Sequence, residues 1–150
     1  MTRADQYSPI ESATTTGWGA LERGEGSLFL KHLGLVLEEV RRDYARMRLP
    51  WRPEVTQPAG VAHGGALASL IDSVVVPAIA SGYDEAADFV TVDLHVSFMD
   101  AMIDEDAVAE GWIVKRGGSI IFCAAEVVGA DTGRLLAQGT LTYKLVKRRN

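Results

Sequence analysis

The stretch QPAGVAHGGALASLIDS, residues 57–73, holds the side chains whose types and spacing are chemically most suggestive. His63 stands directly before a glycine pair, Gly64–Gly65, and the pair opens a long run in which Ala and Leu favour a helix. The first N–H groups of such a helix have no intrahelical partner, and the helix dipole there favours negative charge. Glycine lets a ligand approach those donors closely, so this is a site for an oxyanion developing on a carbonyl oxygen. Asp72 is the second feature, a carboxylate set between LASLI and SVVV. Burying its charge there is costly unless it has partners or a task.

The spacing limits how these groups cooperate. Asp72 lies eight residues beyond Gly64, which puts them roughly 12 Å apart along a regular helix at ~1.5 Å per residue. His63 lies one residue further back, about half a turn round the axis from Asp72. Within one chain neither can meet Asp72 on a single small reacting group. If the glycine amides and the carboxylate serve the same site, they come from different chains. Two antiparallel helices across a two-fold axis would supply two equivalent sites per dimer.

The elements around this stretch follow from periodicity. Residues 1–26 read as a mobile N-terminal arm rich in Ser, Thr and Gly, with Trp18 as an aromatic that docks on the body. A short helix is predicted over Ser27–His32, stopped by Gly34. LVLEEV and YARMRLP alternate as two strands about a turn at Arg41–Asp43. WRPEVTQPAG is a loop by its prolines and glycine. The segment from Gly64 to Gly82 is apolar on nearly all sides, so it reads as a buried central helix, kinked or loosened by Pro77 at the turn carrying the Ser73 carbonyl. Beyond Tyr83–Asp88, strict alternation sets Val90, Val92, Leu94, Val96 and Phe98 on one strand face, with Thr91, Asp93, His95 and Ser97 on the other. Strands near Ala107–Lys115, Ser119–Val128 and Leu135–Lys144 follow, joined by glycine-bearing turns. The order is β, β, helix, β, β, β, β, an α+β layer architecture in one domain over residues 27–150.

The runs AGVAHGGALASLID, VTVDLHVSFMDA and GRLLAQGTLTYKL together resemble the PaaI-like acyl-CoA thioesterases of the hotdog superfamily, over Phe29 to Val146. HGG followed by an acidic residue nine positions after the His is the specific part of that likeness. The resemblance implies an antiparallel sheet wrapped around one long central helix, in homodimers joined sheet to sheet and often paired into tetramers. It implies hydrolysis of acyl- or aryl-CoA thioesters with no metal or redox cofactor. By position, Asp72 matches the family's catalytic carboxylate, acting as general base or nucleophile. Gly64 matches the glycine whose N–H polarises the thioester carbonyl, and His63 the residue that shapes that turn. Thr91 matches a Ser/Thr position beside the carboxylate, although simple alternation puts it on the polar face of its strand. Gln57 stands where many relatives have Asn, with one extra methylene. Lys115 and Arg116, in the turn region IVKRGGSIIF, are the candidates for CoA's phosphates, and Gly65 for close contact with the substrate.

Plainer readings stand beside these. Asp72 also reads as a buried structural acid or a polar dimer contact, His63 as a helix-start residue, and Lys115 and Arg116 as solvated charge. Asp104–Asp106 reads as a solvated turn. Cys123 lies in the apolar strand IIFCAAEVV and reads as a packed core thiol. The three histidines show no metal-ligand spacing, and no phosphate-binding glycine loop appears. A formal net charge of −5 disfavours general nucleic-acid binding. A single cysteine suits a reducing compartment. The first residues lack the apolar core of a secretory signal, and no apolar run reaches the ~18 residues of a membrane span. The expectation is therefore cytoplasmic. Besides the hydrolase, a non-catalytic acyl-CoA-binding module fits the same residues. A hotdog dehydratase fits less well, because His63 and Asp72 lie on opposite sides of the helix.

Overall fold

The structure, a computed structural model, describes residues 2–10, 28–84 and 87–146. The predicted docking of Trp18 and the start of the first helix at Ser27 lie outside them. Helix α1 (Leu28–Leu33) ends at Gly34, where φ is +70°. The Gly34 N–H reaches the Lys31 carbonyl at 3.0 Å and the Leu35 N–H reaches Leu30 at 3.3 Å. These paired bonds make a Schellman stop that needs the left-handed conformation glycine adopts freely. Strands β1 (Val36–Arg41) and β2 (Tyr44–Leu49) flank a tight turn with Asp43 at φ +63°. The loop after them contains a short 3-10 turn, Pro53–Val55. Helix α2 then runs from Gly64 to Ala80 and continues through Pro77. It is followed by β3 (Asp88–Phe98), β4 (Ala107–Arg116), β5 (Ile120–Gly129) and β6 (Leu135–Val146).

The six strands form one antiparallel sheet in the order β1-β2-β4-β5-β6-β3. It curls round α2, as the resemblance implied. Leu70, Ile71, Val74, Val75 and Ile79 of the helix are fully buried, each contributing roughly 1.5–3 kcal/mol of apolar burial. The helix sits close to the sheet because small residues face it. A Cβ at Gly139 would lie 2.6 Å from Ile71 Cγ2, and one at Gly111 would lie 2.8 Å from Val74 Cγ1.

Two expectations give way here. The arm, taken as mobile over residues 1–26, is in residues 2–10 laid against the outer face of the sheet. Ala4 is buried, Tyr7 stacks on Tyr44 at 5.2 Å, and Pro9 bridges Arg41 on the β1 edge. Arg3 lies 3.7 Å from the centre of a Trp112 ring and pairs with Glu110 and Glu126 at 3.3 and 2.5 Å. A guanidinium that finds an aromatic face and two carboxylates at once holds the segment in place. The run Asp104–Asp106 is likewise no solvated turn. Glu105 is 5% exposed and accepts from the backbone N–H groups of Asp131 and Thr132 and from the Thr132 hydroxyl. Asp106 accepts from the Trp51 N–H at 2.8 Å. These carboxylates tie two loops together.

Candidate active site

Asp72 points from α2 toward the sheet, half-buried. Its Oδ1 accepts from the Thr91 hydroxyl of β3 at 3.0 Å and from the Tyr143 hydroxyl of β6 at 2.6 Å. Tyr143 Oη also lies 2.8 Å from the Asp72 backbone carbonyl. Both donors converge on Oδ1, and among the described residues none takes Oδ2. Thr91 and Tyr143 are direct partners across the β3–β6 ladder, which is why they meet on one carboxylate oxygen.

The sequence placed Thr91 on the polar face, apart from the apolar set. A bulge between Thr91 and Asp93 corrects that: Thr91 pairs Tyr143 and Asp93 pairs Thr142, with Val92 left out. One extra residue reverses the parity of everything after it. Thr91 therefore shares its face with Leu94, Val96 and Phe98, while Val90 and Val92 point away and are exposed.

At the other end of the contact, His63 caps α2. Its Nδ1 accepts from the Gly65 N–H at 2.8 Å, and the His63 main-chain N–H donates to the Val55 carbonyl at 2.7 Å. An imidazole accepting at Nδ1 carries its proton on Nε2. The Gly65 amide is thus already taken, and a Cβ at Gly65 would lie 2.9 Å from His63 Nδ1, so the cap itself requires glycine. The Gly64 N–H has no acceptor among the described residues. A Cβ at Gly64 would lie 3.2 Å from Phe98 Cζ, so the end of β3 stands over the start of α2.

Gln57 is not beside Asp72. Its Oε1 accepts from the Ala59 N–H at 3.1 Å, folding the side chain onto its own loop. The loop is joined to the helix start through the Thr56–Ala62 bridge. Lys115 and Arg116 are consecutive and so point to opposite faces, and a second bulge between Ile113 and Lys115 makes Arg116 the inward one, opposite Ile121. There the Arg116 guanidinium pairs with Asp43, reaches the Ile79 carbonyl at 3.2 Å and lies 4.8 Å from the Tyr83 ring centre. Burial opposes its charge, and the Asp43 and Tyr83 contacts more than offset that. It is not a free cation for a phosphate; Lys115 is exposed. Cys123 is 2% exposed on the inner face of β5. Among the described residues, no three His, Cys, Asp or Glu side chains converge as metal ligands.

The sequence reading gave Tyr143 no role. The signal was present: inner-facing residues of β6 run Ala137, Gly139, Leu141, Tyr143, and a buried phenol in such a series must find an acceptor.

A model of the thioesterase superfamily matches residues 59–136, just over half of the chain. The chain belongs to the thioesterase superfamily. Asp72 and Thr91 fall within the matched interval of this superfamily member; Gln57 and Tyr143 fall outside it. Mouse acyl-coenzyme A thioesterase 13 is 34% identical over 91 residues, covering 60% of this chain and 64% of the mouse protein. The chain thus spans slightly less than two thirds of that relative's length. A thioesterase family protein from Silicibacter pomeroyi superposes with TM-score 0.82 at 21% identity, over 91% of this chain and all of the other. The E. coli PaaI protein superposes with TM-score 0.78 at 17% identity, over 91% of this chain and 97% of its own. At those identities the likeness is one of fold. The hotdog reading is borne out for the fold, and the thioesterase reading for the superfamily. No helix among the described residues is long and apolar enough to cross a membrane.

Proposed function

We propose that this chain hydrolyses an acyl- or aryl-CoA thioester to free acid and CoA, in sites shared between two protomers. The observation that carries the reading is the Asp72 carboxylate, with Oδ1 fixed by two hydroxyls and Oδ2 open. Oδ2 takes a proton from water as the water oxygen attacks the thioester carbonyl carbon. The oxyanion that forms accepts from a Gly64 N–H at the positive end of α2. The C–S bond then breaks, and the proton passes from Asp72 to the thiolate sulfur, giving CoA thiol and carboxylic acid. Direct attack by Oδ2, with water cleaving the resulting anhydride, uses the same atoms. Label in Asp72 after a single turnover in heavy-oxygen water identifies the anhydride route with water attacking the aspartyl carbonyl, because general-base attack puts all of the label in the product acid.

The partner's Gly64 is needed because a chain's own Gly64 lies eight residues away on the same helix. The β3 edge supports such a pairing. It is an edge strand that, among the described residues, forms a ladder with β6 alone, and it exposes apolar side chains, among them Val92 at 60% and Phe98 at 54%. Two β3 strands paired antiparallel about a two-fold between Thr91 and Phe98 set Thr91 of one protomer opposite Phe98 of the other. Thr91 holds Asp72 and Phe98 stands over Gly64, so the carboxylate of one protomer comes to the helix start of its partner. Lys115 is the proposed contact for CoA phosphate, and a dimer of dimers in a reducing compartment is the proposed setting.

Thiol release from a panel of acyl- and aryl-CoA esters tests the reading. Asp72→Ala and Asp72→Asn should lower turnover roughly 10²–10⁴-fold in a folded protein; near-wild-type turnover in either would remove Asp72 from the chemistry. The alternative, a non-catalytic acyl-CoA-binding module, draws on Gln57, whose amide is folded onto its own loop. Saturable ester binding with no thiol release would favour it.

A further inference from the structure

We infer that Tyr143 is a positioning residue for the Asp72 carboxylate: its phenol pins Oδ1 so that Oδ2 is the atom presented to the reaction. The inference rests on the hydrolase reading above and adds a residue to it. Tyr143 is 2% exposed, and its hydroxyl stands 2.6 Å from Asp72 Oδ1. That is a short O–H···O⁻ distance, in the range of charge-assisted bonds. The same oxygen lies 2.8 Å from the Asp72 main-chain carbonyl, so the phenol is fixed to the backbone of the residue it orients. An Asp side chain has two rotatable bonds. Thr91 alone, at 3.0 Å and on an edge strand, constrains one approach to Oδ1. Tyr143 comes from β6, which is paired on both sides, so its position is set by the interior of the sheet.

The phenol also remains a donor at every working pH. Burial, and then the bond to Asp72, push its ionisation far above the ordinary tyrosine value. The ionisable groups acting on this phenol are Asp72 from α2 and Cys123 from β5, and burial keeps the latter's thiol protonated. Thr91 from β3 contributes a neutral hydroxyl. A donor that never ionises keeps Oδ1 occupied and leaves Oδ2 as the open oxygen.

The test compares kcat/KM against pH for wild type, Asp72→Ala and Tyr143→Phe, by thiol release. Loss of a donor to a carboxylate disfavours the anion. The acid limb of Tyr143→Phe should therefore move up by about one pH unit, the size expected for one hydrogen bond to a charged group. Its plateau kcat should fall roughly tenfold or more as the carboxylate loses its fixed orientation, with KM near wild type. An unchanged acid limb overturns the inference, whether or not activity falls, because a packing defect lowers the active fraction without moving the limb. Should Tyr143→Phe not fold, a ring-fluorinated tyrosine placed at 143 keeps the shape and strengthens the donor. The acid limb should then move down, and no movement refutes the inference. A wild type that releases no thiol from any ester removes the hydrolase reading and this inference with it. Loss of turnover in Asp72→Ala beside a wild-type profile in Tyr143→Phe removes the inference alone.

Discussion

Cys123 sits on the inner face of β5, and the burial that packs it there pushes its thiol up to about 12. Disulfide dyes react with thiolate, and at pH 8 such a thiol is ionised in roughly one part in 10⁴. The native protein is therefore expected to give no fast reaction with a disulfide dye and one thiol per chain after denaturation. A rapid stoichiometric reaction of the native protein would contradict this burial. The packed-thiol reading was available from IIFCAAEVV alone, since an apolar strand with no neighbouring cation offers nothing to stabilise a thiolate. Asp72 was visible for the opposite reason, as a charge in an apolar run. What surrounds Asp72 was only half visible. His63 was read as a helix-start residue, but its bond to Gly65, which leaves Gly64 as the open amide, depends on imidazole orientation. Tyr143 lies 71 residues from Asp72 in sequence, and only strand register brings them together.

At the scale of elements, the order of strands and helices was legible because each carries its own period, 2 or 3.6. The faces were less so. Bulges at Val92 and Val114 each reverse the alternation, and they account for both misplaced site candidates, Thr91 and Arg116. A bulge has no reliable signature when the residue inserted is one more valine. The loop between β3 and β4 shows a further case, since Glu105 looked solvated beside Asp104 and Asp106. Burial pushes its carboxyl up, but donors from Thr132, Asp131 and Arg134 more than offset that, so it ends below the ordinary glutamate value. A depressed folded value means that the stabilisation is present above the unfolded value and is lost as pH falls through the folded one. Glu105→Gln should lower unfolding free energy by about 1–3 kcal/mol near pH 7. The gap to wild type should close as the pH falls below about 4. Urea denaturation across that range measures both. A gap that stays constant down to pH 3 would show that the charge of Glu105 contributes nothing.

For the whole molecule, the sheet has two edges of different character. The β1 edge is met by the N-terminal segment at Pro9, whereas β3 is the other edge strand and, among the described residues, forms a ladder with β6 alone. Pairing two such edges places each Asp72 by its partner's Gly64, a prediction about assembly that subunit mixing can decide. Asp72→Ala removes the carboxylate. Gly64→Pro removes the amide hydrogen at the first helical position, where proline is tolerated, with mild crowding against Phe98. Each homodimer should be nearly inactive. After the two are unfolded together and refolded in equal amounts, half of the dimers are mixed, and each mixed dimer has one site with both defects and one with neither. Activity should return to about a quarter of wild type. If carboxylate and amide acted within one chain, every site in the mixture would carry one defect, and nothing would return. The mixing result thus depends only on which chain supplies each group, and it tests the reason why a helix with its donor and its carboxylate ~12 Å apart would need a second copy of itself.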